Sequence, residues 1–187
     1  MAMSATLRWA RPAQWGGLYA PPRTPVIVDV PPIAYLTRSG RGVPEASLAW
    51  AEAVDDLRTA WDAVRLHGPG SPAPQGIPGR VTPLEVVWAG ADPASWTVML
   101  ALAVDIDPAV EVPGVEIVRV HEGWCAQVLH LGGRRERDVS LSRLDRFVAR
   151  QGYLRGAGLH EILLDDPAAV SEPVRRSILR RTVEPTS

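Results

Sequence analysis

Lysine is absent from this 187-residue chain, and all 20 basic residues are arginine. Against 21 acidic residues they leave a formal net charge of −1. The basic excess or basic patch expected of a nucleic-acid or anionic-membrane binder is therefore missing. The densest cationic stretches are Arg134, Arg135 and Arg137, then Arg175, Arg176, Arg180 and Arg181. Acidic or apolar residues interrupt both, and they read as solvated faces. With abundant alanine, glycine and proline, the missing lysine reads as genomic base bias. Cysteine is nearly as scarce: Cys125 alone excludes an intrachain disulfide and a cysteine-cluster metal site, and its place in an apolar segment makes it a small core residue. The histidines His67, His121, His130 and His160 show no ligand-like spacing, so no metal site is expected. Neither a Gly-rich phosphate loop nor a Ser-His-Asp arrangement can be argued. The longest apolar run, Val98 to Val104, is too short to span a bilayer. No charged leader with an apolar core precedes the domain, so a cytoplasmic protein without a membrane partner is expected.

What is present suits one compact domain behind a short arm. Residues 1–25 carry Trp9, Trp15, Tyr19 and several prolines without periodicity, as an arm packing on a domain would. That stretch is too short for a helix-turn-helix, so direct nucleic-acid binding is not expected. From residue 26 onward strands alternate with two helices. Val26 to Val30 and Ile33 to Thr37 are strand candidates separated by Pro31-Pro32. A helix from Pro44 to His67 carries the stripe Trp50, Val54, Leu57, Trp61 and Val64, and Gly68-Pro69 stops it. The Gly/Pro-rich stretch from His67 to Gly79 is a surface connection or a lid. Thr82 to Trp88, Trp96 to Leu102, Val115 to Val120 and Cys125 to Leu131 are further strands. Asp138 to Gln151 is a second amphipathic helix ended by Gly152. A strand around Glu161 follows, and Ile178 to Val183 reads as a last edge segment. The order gives an α+β fold with a largely antiparallel sheet and two similar βαββ units, which facing each other leave a cleft.

Glu161 stands out within His160-Glu161-Ile162-Leu163-Leu164-Asp165-Asp166-Pro167. The run reads as a half-buried strand closed by a turn, with His160, Ile162 and Leu164 on one face and Glu161 with Leu163 on the other. A carboxylate there is costly to bury without a partner, a ligand or a proton. Two readings stand. Glu161 caps a backbone group or pairs with an arginine, which is the simpler reading from residues alone; or it is a functional acid.

Several segments resemble one family. Glu122-Gly123-Trp124-Cys125-Ala126-Gln127-Val128-Leu129-His130-Leu131-Gly132 resembles its Glu-Gly-x-Cys-x-Gln-x-x-His-x-Gly segment. His160-Glu161-Ile162 through Asp166-Pro167, then Ile178-Leu179-Arg180, resembles its C-terminal signature. Pro83-Leu84-Glu85 with Trp88, and Trp96 with Met99, resemble its central hairpin; Val28-Asp29-Val30-Pro31 with Ala53-Val54 and Leu57 resembles its first unit. On these residues the chain from about Val26 onward is identified as a member of the GyrI-like small-molecule-binding domain family. The resemblance implies paired βαββ units with a ligand cleft at the pseudo-twofold and Glu161 projecting into it. It also implies, by likeness to stand-alone members, a hydrolase that opens the cyclopropane of spirocyclopropyl-cyclohexadienone DNA-alkylating antibiotics. A drug-binding or sequestering protein and a gyrase-inhibitor-like interaction protein are the alternatives. The sequence departs from the pattern where the tyrosine after Glu-Ile is Leu163, where first-helix aromatics are Arg58 and Asp62, and where a second tryptophan is Ala89.

In an aromatic cleft of low dielectric, desolvation is expected to raise the Glu161 pKa and suit the carboxyl to take a proton from water. Tyr153 and His130 are candidates for the donor at the dienone oxygen; Tyr153 serves equally as a surface anchor, and His130 reads more simply as a satisfied buried histidine. Trp88 and Trp124 are candidates to stack on a planar ligand, with ordinary core as the alternative. Leu163 shares the Glu161 face, Trp61 is core or a cleft wall, and Glu85 is a second cleft carboxylate or a sheet-edge charge. The expected partner is a planar aromatic small molecule, bound by a monomer.

Overall fold

Alternating apolar and polar residues give strands, and the apolar stripes give helices that cover one side of them. The computed structural model describes residues 8–9, 16–67, 82–88, 94–102, 104–105, 114–167 and 169–186. In chain order the elements are β1 (Arg8–Trp9), α1 (Gly16–Tyr19), β2 (Val26–Val30), β3 (Ile33–Arg41), α2 (Leu48–His67), β4 (Leu84–Trp88), β5 (Ser95–Leu102), β6 (Val104–Asp105) and β7 (Glu116–Val120). They continue with β8 (Gly123–Leu131), α3 (Arg134–Arg150), β9 (Tyr153–Arg155), β10 (Leu159–Leu163) and β11 (Arg176–Pro185). The stretch from residue 68 to 81, which holds most of the Gly/Pro-rich connection, lies outside the described residues, as does most of the arm.

The main sheet is antiparallel and runs β2-β8-β11-β10-β4-β5-β3-β7, with β9 pairing the end of β11. The two βαββ units, β3-α2-β4-β5 and β8-α3-β10-β11, meet at the central pair β4/β10, where Glu161 lies opposite Val86. Each unit is preceded by a strand that pairs with the other unit: β2 runs into β3 yet pairs with β8, and β7 runs into β8 yet pairs with β3. These exchanged edges cover backbone groups that would otherwise face solvent, and they tie the halves together.

Both helices pack on one face. Trp50, Ala53, Val54, Leu57, Ala60 and Trp61 of α2 bury against Leu36, Val98 and Leu100, while Leu144 and Val148 of α3 bury against Ala126, Val128 and Leu179. Full burial of one such leucine contributes about 1.5–3 kcal/mol. The opposite face carries its own cluster, in which Leu18 and Tyr19 of α1 sit on Val30, Ile33, Tyr35, Cys125, Ile162 and Ile178. No described helix is long and apolar enough to cross a membrane.

Three boundaries differ from the sequence expectation. The first helix begins at Leu48, because residues 44–46 form a turn in which Glu45 adopts φ of 67°. The second begins one turn early, at Arg134, where the Gly133 N–H donates to Glu136 Oε2 at 3.0 Å and so satisfies an end group of the helix. Its end is as expected: Gly152 takes the left-handed conformation (φ 76°) that stops it. The segment read as a last edge, Ile178 to Val183, belongs to a ten-residue strand lying between β8 and β10. Arg180 and Arg181 suggested exposure, but Arg180 is fully buried against compensating partners.

Candidate functional site

β10 carries two neighbouring ionisable residues, and the pleat sends them to opposite faces of the sheet. Glu161 and Leu163 rise on the helix-covered face; His160 and Ile162 descend on the other.

On the helix-covered face, a cleft of about 260 Å³ opens between the units. Its floor holds Glu161 and Leu163 from β10, Val86 and Trp88 from β4, and Ser177 from β11. One wall is Trp50 with Val43, Pro44, Glu45 and Ala46; the other is Gly132, Gly133 and Arg137, with Glu172 and Arg175 completing the lining. Trp50 is braced edge-on by the buried Trp96, ring centroids 5.2 Å apart and planes at 75°. The Glu161 carboxylate accepts from Ser177 Oγ at 2.8 Å and from Arg137 Nη1 at 3.0 Å. The Arg137 guanidinium also lies over the Trp88 ring, 5.1 Å from its centroid. A second ion pair links Arg175 Nη1 to Glu45 Oε2 at 2.9 Å. The surroundings of Glu161 are thus more polar than the aromatic, low-dielectric cleft expected: two donors orient its carboxylate, and one of them, Arg137, lies over the Trp88 ring.

The other face is organised differently. His160 Nδ1 bonds Glu122 Oε1 at 3.0 Å, and its Nε2 lies 2.7 Å from Glu85 Oε2. Arg180 donates from Nη1 to Glu122 Oε2, from Nε to Gln127 Oε1 and from Nη2 to the Leu18 carbonyl, each at 3.1 Å. Gln127 Nε2 donates to the Gly17 carbonyl at 3.1 Å, and the Tyr19 hydroxyl to Glu85 Oε1 at 2.7 Å. The network therefore clasps α1 against the sheet. Burial opposes the ionisation of Glu122, but the hydrogen bond and charge of His160, with Arg180, overcome it and hold the carboxyl at about 2. Burial likewise opposes protonation of His160, yet its contacts with Glu122 and Glu85 push the imidazole up to about 9. Tyr19 is raised by burial first and by the Glu85 charge second, so its hydroxyl stays a donor. Burial pushes the Cys125 thiol up to about 12, which fits an inert core residue. A larger cavity, about 460 Å³, lies beside this network and is lined by Thr37, Met99, Val118, Val120, Glu122 and His160 among others.

Of the residues named from the sequence, Glu161, Trp88 and Leu163 meet in the helix-face cleft. Glu85 does not join them: it is fully buried on the far side of the sheet, and it is neither a cleft carboxylate nor a sheet-edge charge. His130 is buried with both ring nitrogens occupied, Nδ1 with Ser140 Oγ at 2.9 Å and Nε2 with the Gly133 carbonyl at 3.1 Å. It fixes the start of α3 instead of offering a proton to a ligand. Tyr153 packs with the α3 cluster on β9, away from the cleft lining. Trp61 belongs to the core beneath α2, and Trp124 is 54% exposed opposite Asp29. The sequence reading missed Arg137, Ser177 and Trp50 as cleft residues. A helix begun at Arg134 places Arg137 on the stripe of Leu141, Leu144 and Val148, turned toward the sheet, and that was the available signal.

Comparison with known proteins places this architecture. No family model matches the chain, and no curated protein sequence matches it. Among solved structures, two hydrolases from Listeria innocua are similar: one has a TM-score of 0.76 at 24% identity, the other 0.77 at 22%, each covering 95% of this chain and 100% of that one. The EcmrR C-terminal domain is similar at a TM-score of 0.56 and 14% identity, over 90% of this chain and 99% of that domain. The chain shares the α+β fold of these proteins, a large antiparallel sheet with its two long helices on one side.

Proposed function

We propose that the chain is a cofactor-independent hydrolase acting on planar small molecules in the helix-face cleft, and that it opens the cyclopropane ring of spirocyclopropyl-cyclohexadienone alkylators. The observation that carries the reading is the Glu161 carboxylate, set beside Trp88 on the cleft floor and oriented by Ser177 and Arg137. Each of its oxygens holds one hydrogen bond and keeps a lone pair for water. Glu161 takes a proton from that water as the water oxygen bonds to the strained methylene. The bond between the methylene and the spiro carbon breaks, and its electron pair aromatises the ring. The dienone oxygen becomes a phenolate and is protonated, so the sum is addition of one water. Trp50, and the Arg137 guanidinium lying over Trp88, supply walls that hold the ring at low entropy cost. Likeness to the Listeria hydrolases supports the reading at the level of fold. Antibiotic detoxification or self-resistance, in the cytoplasm and as a monomer, is the setting that goes with it.

Binding without turnover is the second reading. It is favoured by Leu163, which puts a methyl-bearing side chain, not a hydroxyl, next to Glu161 on the cleft floor. One experiment separates the two. The protein is incubated with a spirocyclopropyl dienone in heavy-oxygen water and the products are weighed by mass spectrometry. The hydrolase reading expects a phenol carrying one labelled water, and a loss of about 10²–10⁴-fold in rate in Glu161→Gln. Compound recovered unchanged, with saturable quenching of tryptophan fluorescence, establishes the second reading instead.

A further inference from the structure

We propose that Arg137 is a built-in cation holding the place a cationic ligand would take, so that the cleft selects neutral planar molecules over organic cations. This rests on the reading that the cleft receives a planar ligand, and it adds which charge class is admitted. An organic cation binds a cleft through two features, a carboxylate at ion-pair distance and the face of an electron-rich ring. Both exist here, and Arg137 uses both: Nη1 is 3.0 Å from Glu161 Oε2, and the guanidinium carbon lies 5.1 Å from the Trp88 centroid. Its Nε is buried and has no hydrogen-bond partner among the described residues, so Glu161 and Trp88 are what hold the head group in the cleft. The pair is only partly exposed, 20% for Arg137 and 12% for Glu161, which limits screening by water. The other cleft ion pair joins Glu45 to Arg175, and Glu172 completes the charged lining. An incoming cation would have to meet or displace a like charge. A neutral ring packs against the guanidinium and Trp50 with no such cost.

The test uses an isosteric pair of probes, the N-methylquinolinium cation and neutral methylnaphthalene, with binding measured by equilibrium dialysis. The wild-type chain is expected to retain the neutral probe about tenfold more tightly or better. In Arg137→Gln, and independently in Arg137→Met, the ratio is expected to move about tenfold toward the cation, a change of ~1.4 kcal/mol. Two independent variants guard against a folding defect in one. Equal or tighter binding of the cation by wild type, an unmoved ratio in both variants, or retention of neither probe overturns the proposal. Dialysis involves no turnover. Selectivity intact with no hydrolysis removes only the hydrolase reading; hydrolysis intact with no selectivity removes only this one.

Discussion

His160 and Glu161 are adjacent on one strand, are both ionisable, and do different work because they face different sides of the sheet. On the His160 side, charges are largely buried and paired: the imidazolium lies between Glu85 and Glu122, Arg180 pairs with Glu122, and the network holds α1 in place. On the Glu161 side, the carboxylate lines the cleft, where Arg137 and Ser177 orient it. The network around His160 joins more charged groups and is the costlier to break, whereas the Arg137–Glu161 pair has fewer polar partners and faces the cleft. Local environment, more than residue type, separates a carboxylate that stabilises the fold from the one proposed to act on a ligand.

Breaking the buried side has the largest expected effect. Arg180→Met leaves Glu122 with His160 alone and takes the donor from Gln127 Oε1 and the Leu18 carbonyl, and a loss of about 3–5 kcal/mol in stability is expected in urea unfolding. Shifting pH attacks the same network more gently. His160 is raised from 6.5 to about 9, so its contribution is complete below 6.5 and is lost as pH climbs through 9. Glu122 is lowered from 4.5 to about 2, so its contribution is complete above 4.5 and is lost as pH falls toward 2. For this pair, the plateau of stability lies between 4.5 and 6.5. Unfolding midpoints measured across pH should show both limbs, and His160→Gln should abolish the alkaline one. Tyr19→Phe, which removes only the hydroxyl that bonds Glu85, is expected to cost about 1–2 kcal/mol by thermal unfolding. A neutral Tyr19→Phe would detach the arm from the network's account.

Much of this comparison was legible in the sequence, and the reasons for the rest are physical. Strand alternation alone puts Glu161 and His160 on opposite faces, and the order of elements implies two units with a cleft between them. The contents of the far face were not legible, because Glu85, Glu122, Gln127, His160 and Arg180 sit on different segments and only sheet register brings them together. Arg180 also misled the placement of the last strand: a charged residue suggests an edge, yet its counter-charges let it sit in the centre. Arg137 was hidden by a one-turn error at the start of α3. A pair of glycines followed by arginines looked like loop, whereas Glu136 closes back on Gly133 and begins the helix there.

The most direct test sets the two neighbours side by side. His160→Gln and Glu161→Gln each exchange one ionisable side chain for a neutral amide, and the urea midpoint of each is measured at neutral pH against wild type. A loss of about 3 kcal/mol or more is expected for His160→Gln, which removes the cation between Glu85 and Glu122, and about 1 kcal/mol for Glu161→Gln, whose amide oxygen still accepts from Arg137 or Ser177. Equal losses, or a larger loss at Glu161, would contradict the division of the strand into a stabilising face and a working one.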